Sequence, residues 1–157
     1  MERITVCLDP ASSDKGEQTM QGLYAIGSGG LFGKGLGQSM QKLGFLPEAN
    51  NDMIFSVICE ELGLFGALCV LALFFALLWR FMVIAINAPD LYGSMLVIGV
   101  IAHIGIQVFI NIAVATNTMP NTGIPLPFIS YGGSSLVFLL LEMGLVLSVS
   151  RYIKIKK

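Results

Sequence analysis

Charge is scarce in this sequence. Of 157 residues only 9 are Lys or Arg, 10 are Asp or Glu, and one is His, leaving a formal net charge of −1. Such a balance offers no basic surface for nucleic acid, which binds through phosphate neutralisation. Cysteine is equally sparse. Cys7, Cys59 and Cys69 form no C-x-x-C pair and two of them lie in apolar segments, so they read as small packing residues, not as a disulfide or metal set. The lone His103 has no Cys or second His nearby to share a metal. The N-terminal M-E-R-I-T-V-C-L-D-P lacks the apolar core of a signal peptide. What is abundant is hydrophobicity, 55% of residues with a mean hydropathy of +0.79. That composition belongs to a polytopic membrane protein.

Residues 1–52 form a polar, glycine-rich segment with four basic and six acidic side chains. Its apolar stretch Leu23–Ile26 is too short to span a bilayer. Three spanning helices are predicted after it, at about 53–86, 91–114 and 133–152. Asn87–Asp90 is a short turn, whereas 115–132 is a longer loop containing Pro120, Pro125 and Pro127. Arg151, Lys154, Lys156 and Lys157 follow the last span directly, which places the C-terminus in the cytoplasm. An odd number of spans then places residues 1–52, together with 115–132, outside. The expected fold is an all-α integral membrane protein, a large extracytoplasmic loop followed by three transmembrane helices.

The glycine-rich run G-S-G-G-L-F-G-K-G-L-G at 27–37 invites a phosphate-loop reading, but the pattern fails. A Walker motif ending at Gly33-Lys34 needs Gly at 28 and Ser or Thr at 35, where Ser28 and Gly35 stand; a dinucleotide motif needs Gly in place of Phe32. The run is instead a loop in which backbone can approach a surface or ligand closely. Lys34 and Lys42 remain as cations for an anionic ligand.

Most informative is Leu46–Gly63, L-P-E-A-N-N-D-M-I-F-S-V-I-C-E-E-L-G. Glu48, Asn50, Asn51 and Asp52 crowd the mouth of an apolar segment, and Glu60 and Glu61 precede eighteen uncharged residues, Leu62–Trp79. Carboxylates are costly near a bilayer and seldom sit there without a partner or a task. Asp52 has the position of a helix N-cap or of a catalytic carboxylate. Glu60 and Glu61 point about 100° apart on a helix and cannot both face lipid, which calls for pairing inside a bundle or a role in shaping the site. In the second span His103, Gln107 and Asn111 are spaced by four and share one face, suited to interhelical hydrogen bonds or a watered cavity. Glu142 is a lone acid in the third span. Ser134 or Ser135 is placed to cap that span, after Ser130-Tyr131-Gly132-Gly133. The first and third spans both begin outside, and two helix N-termini there would favour a diphosphate.

Several ordered motifs together resemble one family. They are L-D-P at 8–10 with Asp14 and Gly16, Q-x-x-Q-G-L-Y-A-I-G-S-G-G-L-F-G-K-G-L-G-Q-S at 18–39, and Q-K-L-G-F-L-P-E-A at 41–49. I-Q-V-F-I-N-I at 106–112 and T-G-I-P-L-P-F-I-S-Y-G-G-S-S at 122–135 complete the set. The chain is thereby similar to the SEDS family (shape, elongation, division and sporulation) of peptidoglycan glycosyltransferases, which includes FtsW, RodA and SpoVE. A-P-D-L-Y-G-S at 88–94 and V-S-R-Y at 149–152 look most like the FtsW and SpoVE branch of low-GC Gram-positive bacteria.

The resemblance implies an inverting transfer between lipid-linked precursors: a sugar hydroxyl of lipid II attacks the anomeric carbon of the growing glycan, and polyprenyl diphosphate leaves. It makes Asp52 the catalytic acid of a P-E-x-x-T-D-F motif, with Asn51 and Met53 standing where Thr and Phe are usual. Lys34, Lys42, Glu48, Asn51, Gln107, Asn111, Ser130 and Ser134 are the expected substrate contacts, with Arg3 a further cation and a divalent ion able to take the same part. Expected partners are lipid II, the lipid-linked glycan, membrane lipid and a class B penicillin-binding protein. Family members have about ten membrane helices, so the chain corresponds to the large outer loop and the last three, and alone it is expected to be inactive. Two rival readings are a lipid-linked precursor flippase and a non-catalytic module that binds a penicillin-binding protein.

Overall fold

The computed structural model describes residues 14–35, 37 and 53–153, of which 14–19 by backbone only. Among the described residues there are four helices and no strand: α1 (Asp14–Ser28), α2 (Ile54–Ile86), α3 (Leu91–Ala115) and α4 (Gly133–Arg151). The last three are long and apolar enough to cross a membrane. Asn87–Asp90 reverses the chain between α2 and α3. Asn87 Nδ2 donates to the Val83 carbonyl at 2.7 Å, and the Asp90 carboxylate caps α3 by accepting from the Gly93 amide at 3.0 Å. So short a connection forces α2 and α3 to run antiparallel. α4 runs back against α3, since Gly93 at the start of α3 faces Val149 near the end of α4. The N-termini of α2 and α4 therefore lie at the same end of the bundle as the C-terminus of α3.

A seam of Phe74, Phe81, Ala85, Val97, Val100, Ile104, Val108, Leu139 and Val146 is buried between these helices. Phe65, Phe75, Trp79, Phe109 and Phe138 point outward instead. A surface with that much apolar area suits a membrane and not water.

Two features of this bundle were not foreseeable from apolar runs alone. First, the span predicted over 53–86 is not one straight helix. Gly63 adopts φ 68°, ψ −169° inside α2 and divides it into Ile54–Leu62 and Leu64–Ile86. The second part has 23 residues and is roughly 34 Å long at 1.5 Å per residue, enough by itself for a hydrocarbon core of about 30 Å. Glu60 and Glu61 thus sit just beyond a complete span. Second, Glu142 has a named partner. His103 Nδ1 on α3 lies 2.8 Å from Glu142 Oε1 on α4. The pair joins two spans through a polar bond in an apolar surrounding, where the alternative is an unsatisfied group. Of the polar stripe predicted on α3, His103 therefore bonds across to α4, and Asn111 turns toward the loop that follows.

Candidate functional site

The end of the bundle that carries the start of α2 is assembled around backbone contacts that only glycine permits. α1 ends at Ser28, and residues 29–35 cross the break in α2. At that break the last carbonyls of Ile54–Leu62 and the first amides of Leu64–Ile86 have no helical partner. The loop supplies both. The Lys34 and Gly35 amides donate to the carbonyls of Glu60 and Glu61, each at 3.0 Å. The Leu64 and Phe65 amides donate to the carbonyls of Gly30 and Leu31, at 3.0 and 3.3 Å. This exchange requires backbone to touch backbone. A Cβ on Gly29 would strike the Cys59 carbonyl, one on Gly33 the Glu61 carbonyl, and one on Gly63 the Gly33 amide. Gly33 and Gly63 also have φ of 76° and 68°, a region costly for other residues.

Side chains reinforce the same junction. Glu60 is fully buried, and its Oε1 lies 2.8 Å from Lys34 Nζ. The Ser28 hydroxyl is 3.5 Å from the same oxygen. A buried carboxylate needs such partners, and removing one leaves a charge without compensation. Lys34, expected as a cation for an anionic ligand, has its ammonium engaged with Glu60. The pairing expected for Glu60 is present.

Around this junction α1, the first part of α2 and the end of α3 converge. Gly22 of α1 lies against Ser56 and Met53, while Met53 and Val57 pack with Val114 of α3 in a small apolar cluster. Gln21 Oε1, Ser56 Oγ and Glu61 Oε1 are buried here with no hydrogen-bond partner among the described residues. The proline-rich loop closes the same end. Asn111 is buried and its amide donates to the Ile124 carbonyl at 2.9 Å. The Leu126 amide donates to Ser130 Oγ at 2.7 Å, and the Ser130 amide returns a bond to the Leu126 carbonyl at 3.0 Å. Leu126 joins the core cluster that contains Phe55 and Cys59. Gln107, one turn from Asn111, has its Oε1 buried without a partner among the described residues.

The expected cap of α4 is not formed by Ser134 or Ser135. Gly132, extended at φ −162° and ψ 98°, holds the cap position and makes no side-chain cap bond. The Ser135 hydroxyl donates to the Gly132 carbonyl at 2.9 Å, and Ser134 is exposed. α2 likewise has Met53 at its cap position with no side-chain cap bond. Arg3, Lys42, Glu48, Asn51 and Asp52 lie outside the described residues. Among the described residues no three His, Cys, Asp or Glu side chains gather as a metal site would require. Sequence reasoning missed the glycine junction, although three glycines at 29, 33 and 63 were its signal.

Comparison with known proteins agrees with this architecture. The family model FTSW_RODA_SPOVE, described as cell cycle protein, matches residues 1–155. Stage V sporulation protein E of Bacillus subtilis (strain 168) is 54% identical over 154 residues, covering 97% of this chain and 42% of that protein. The "Probable peptidoglycan glycosyltransferase FtsW" of the same organism is 48% identical over 143 residues, covering 91% of this chain and 36% of that protein. A chain from a peptidoglycan synthase complex, solved for the structural coordination of polymerization and crosslinking, superposes with a TM-score of 0.77 at 33% identity, covering 96% of this chain and 41% of that one. A mutant of the rod shape determining protein RodA from Thermus thermophilus gives a TM-score of 0.65 at 39% identity, covering 84% and 40%. The chain spans about two-fifths of the length of the curated relatives it matches.

Proposed function

From the premise that this chain belongs to the FtsW/RodA/SpoVE family, we propose that it carries the catalytic loop and three membrane helices of an enzyme that polymerises lipid II into glycan strands. The observation that supports this most is the convergence at one end of the bundle. α1, the start of α2, the end of α3 and the proline-rich loop meet there, and Met53, the neighbour of Asp52, is buried among them. In this reading the Asp52 carboxylate takes the proton of the acceptor sugar hydroxyl as its oxygen bonds to the anomeric carbon. The bond from that carbon to the phosphate oxygen breaks, and polyprenyl diphosphate departs with the electron pair. Lys42 and Arg3 are the remaining candidates to meet the leaving charge now that Lys34 is held by Glu60, and the N-termini of α2 and α4 add favourable dipoles. Gln107, Asn111 and Ser130 act by shaping the wall of the site. Ser134, exposed beside it, is a polar contact for the headgroup, and Glu48 and Asn51 flank the base. Working with lipid II makes a class B penicillin-binding protein, which crosslinks the product, the natural partner.

Reconstitution tests the function. Supplied with the other helices of the family fold, the chain should make polymer from lipid II in detergent, where no second compartment exists. Lipid movement without polymer would instead support a flippase, and binding to a penicillin-binding protein without either would support an interaction module.

The same reading fixes an orientation: residues 1–52 and 115–132 outside, 87–90 and 154–157 in the cytoplasm. With native cysteines removed, Ser12→Cys and Asn121→Cys should react with an impermeant thiol reagent on spheroplasts, and Lys156→Cys should not. The opposite labelling pattern would invert the protein in the membrane.

A further inference from the structure

We propose that the hydrogen bond between His103 and Glu142 is a register lock: it fixes how far α4 slides along α3, a choice that apolar packing leaves open. The two residues stand at matching depth. His103 is the middle residue of α3 (Leu91–Ala115), and Glu142 is the middle residue of α4 (Gly133–Arg151). Each is thus as far as a residue of its span can be from the polar ends. At that depth no bulk water replaces a lost partner, so breaking the 2.8 Å contact between Nδ1 and Oε1 leaves both groups unpaired in an apolar surrounding.

Apolar contact by itself does not choose this arrangement. Of the 19 residues of α4 only Leu139 and Val146 are buried, and Glu142 shares their face. A slide of three residues would seat Leu136 and Met143 in their places, apolar for apolar. Helices in lipid have no hydrophobic driving force to prefer one such seat over the other. The connecting chain does not prevent the slide either. Gly132 and Gly133 stand between α4 and the turn anchored at Leu126 and Ser130, and their backbone can absorb a shift. What the slide costs is the bond, since Leu139 would then stand opposite His103. Glu142 Oε2 points the same way: it is buried with no partner among the described residues, a cost that an apolar side chain would avoid. Polar groups carrying such a cost are best attested where they fix register. The inference is independent of the proposed reaction, but the register sets where α4 begins, at the end of the bundle closed by the proline-rich loop.

Disulfide trapping in the 157-residue chain, in phospholipid vesicles and with Cys7, Cys59 and Cys69 replaced by Ala, tests this. A Cβ on Gly93 would lie 3.2 Å from Val149 Cγ1, so Gly93→Cys with Val149→Cys reports the observed register. Gly93→Cys with Val146→Cys reports the slide. Under limiting oxidation the first pair should bridge faster than the second. Replacing both members of the lock, His103→Leu with Glu142→Leu, leaves the spans apolar enough to insert. It should lower the ratio of the two rates by roughly 3- to 30-fold, the range expected of a polar bond between membrane helices. Glu142→Gln, whose side-chain carbonyl still accepts from an Nδ1–H, should preserve most of the ratio. An unchanged ratio in the double Leu variant would overturn the proposal, because apolar packing would then set the register. So would a ratio that falls as far with Gln as with Leu, since a hydrogen bond would then not be what holds α4.

Discussion

Replacing Asp52 by Asn, with the rest of the family fold supplied, is expected to abolish glycan polymerisation, a loss of at least about 100-fold, while insertion and abundance stay normal. General-base contributions of roughly 10²–10⁴ set that scale. Asn keeps the size and hydrogen-bonding capacity of the side chain and removes only its ability to take a proton. The rival role for Asp52, capping α2, predicts something different: a stability loss of about 0.5–2 kcal/mol with the chemistry spared. Polymer assayed from lipid II beside a thermal-stability measurement separates the two. Near-normal polymerisation by a well-folded Asp52→Asn protein would remove Asp52 from the mechanism.

What could be read from the sequence was whatever depends on long stretches of one character. The three spans follow from uninterrupted apolar runs bounded by polar turns, and the helices observed at Ile54–Ile86, Leu91–Ala115 and Gly133–Arg151 begin and end within one residue of the predicted limits. α1 was not legible. Asp14–Ser28 mixes Asp, Lys, Glu and Gln with Gly16, Gly22 and Gly27, giving neither an apolar run nor a strong helix-forming composition. Its helix is held by tertiary packing, with Ala25 fully buried and Gly22 against Ser56. The break at Gly63 was hidden for a related reason: one glycine in eighteen uncharged residues does not change their hydropathy, and only the docked loop makes its left-handed φ stable.

Long-range partners were hidden as well. The need of Glu60 and Glu142 for partners could be argued from the cost of a carboxylate near lipid, but their identities could not. Lys34 is 26 residues from Glu60, and His103 lies on a different helix from Glu142. Pairing at such separations is set by how the helices pack. The misassigned cap of α4 shows the opposite error, in which local pattern was trusted too far. Ser134 and Ser135 are good capping residue types, yet the cap position is Gly132, two residues before Ser134, and the Leu136 amide finds the Gly132 carbonyl at 3.0 Å.

The glycine junction provides a second large effect, on stability and not on chemistry. Gly33→Ala should be the most damaging of three alanine substitutions in the loop region. Its left-handed φ costs about 1–2 kcal/mol for a residue with a Cβ. In addition, the Cβ would enter the Glu61 carbonyl, a backbone atom that cannot rotate away, and overpacking of this kind adds about 1–3 kcal/mol. Relief requires the loop to lift, which gives up the bonds from Lys34 and Gly35 to α2. Gly30→Ala isolates the first term, because Gly30 has φ 57° but no atom within 4 Å of its added Cβ. Gly27→Ala removes both terms: it lies in α1 with open space around it, and the better helix former should stabilise by up to about 1 kcal/mol. Unfolding of the purified chain in mixed micelles, followed by Trp79 fluorescence, should therefore rank Gly27→Ala at or above the unmodified chain, Gly30→Ala below it and Gly33→Ala lowest. If Gly33→Ala unfolds no more readily than Gly30→Ala, the loop does not bridge the break in α2 by backbone contact, and the junction must be held by something else.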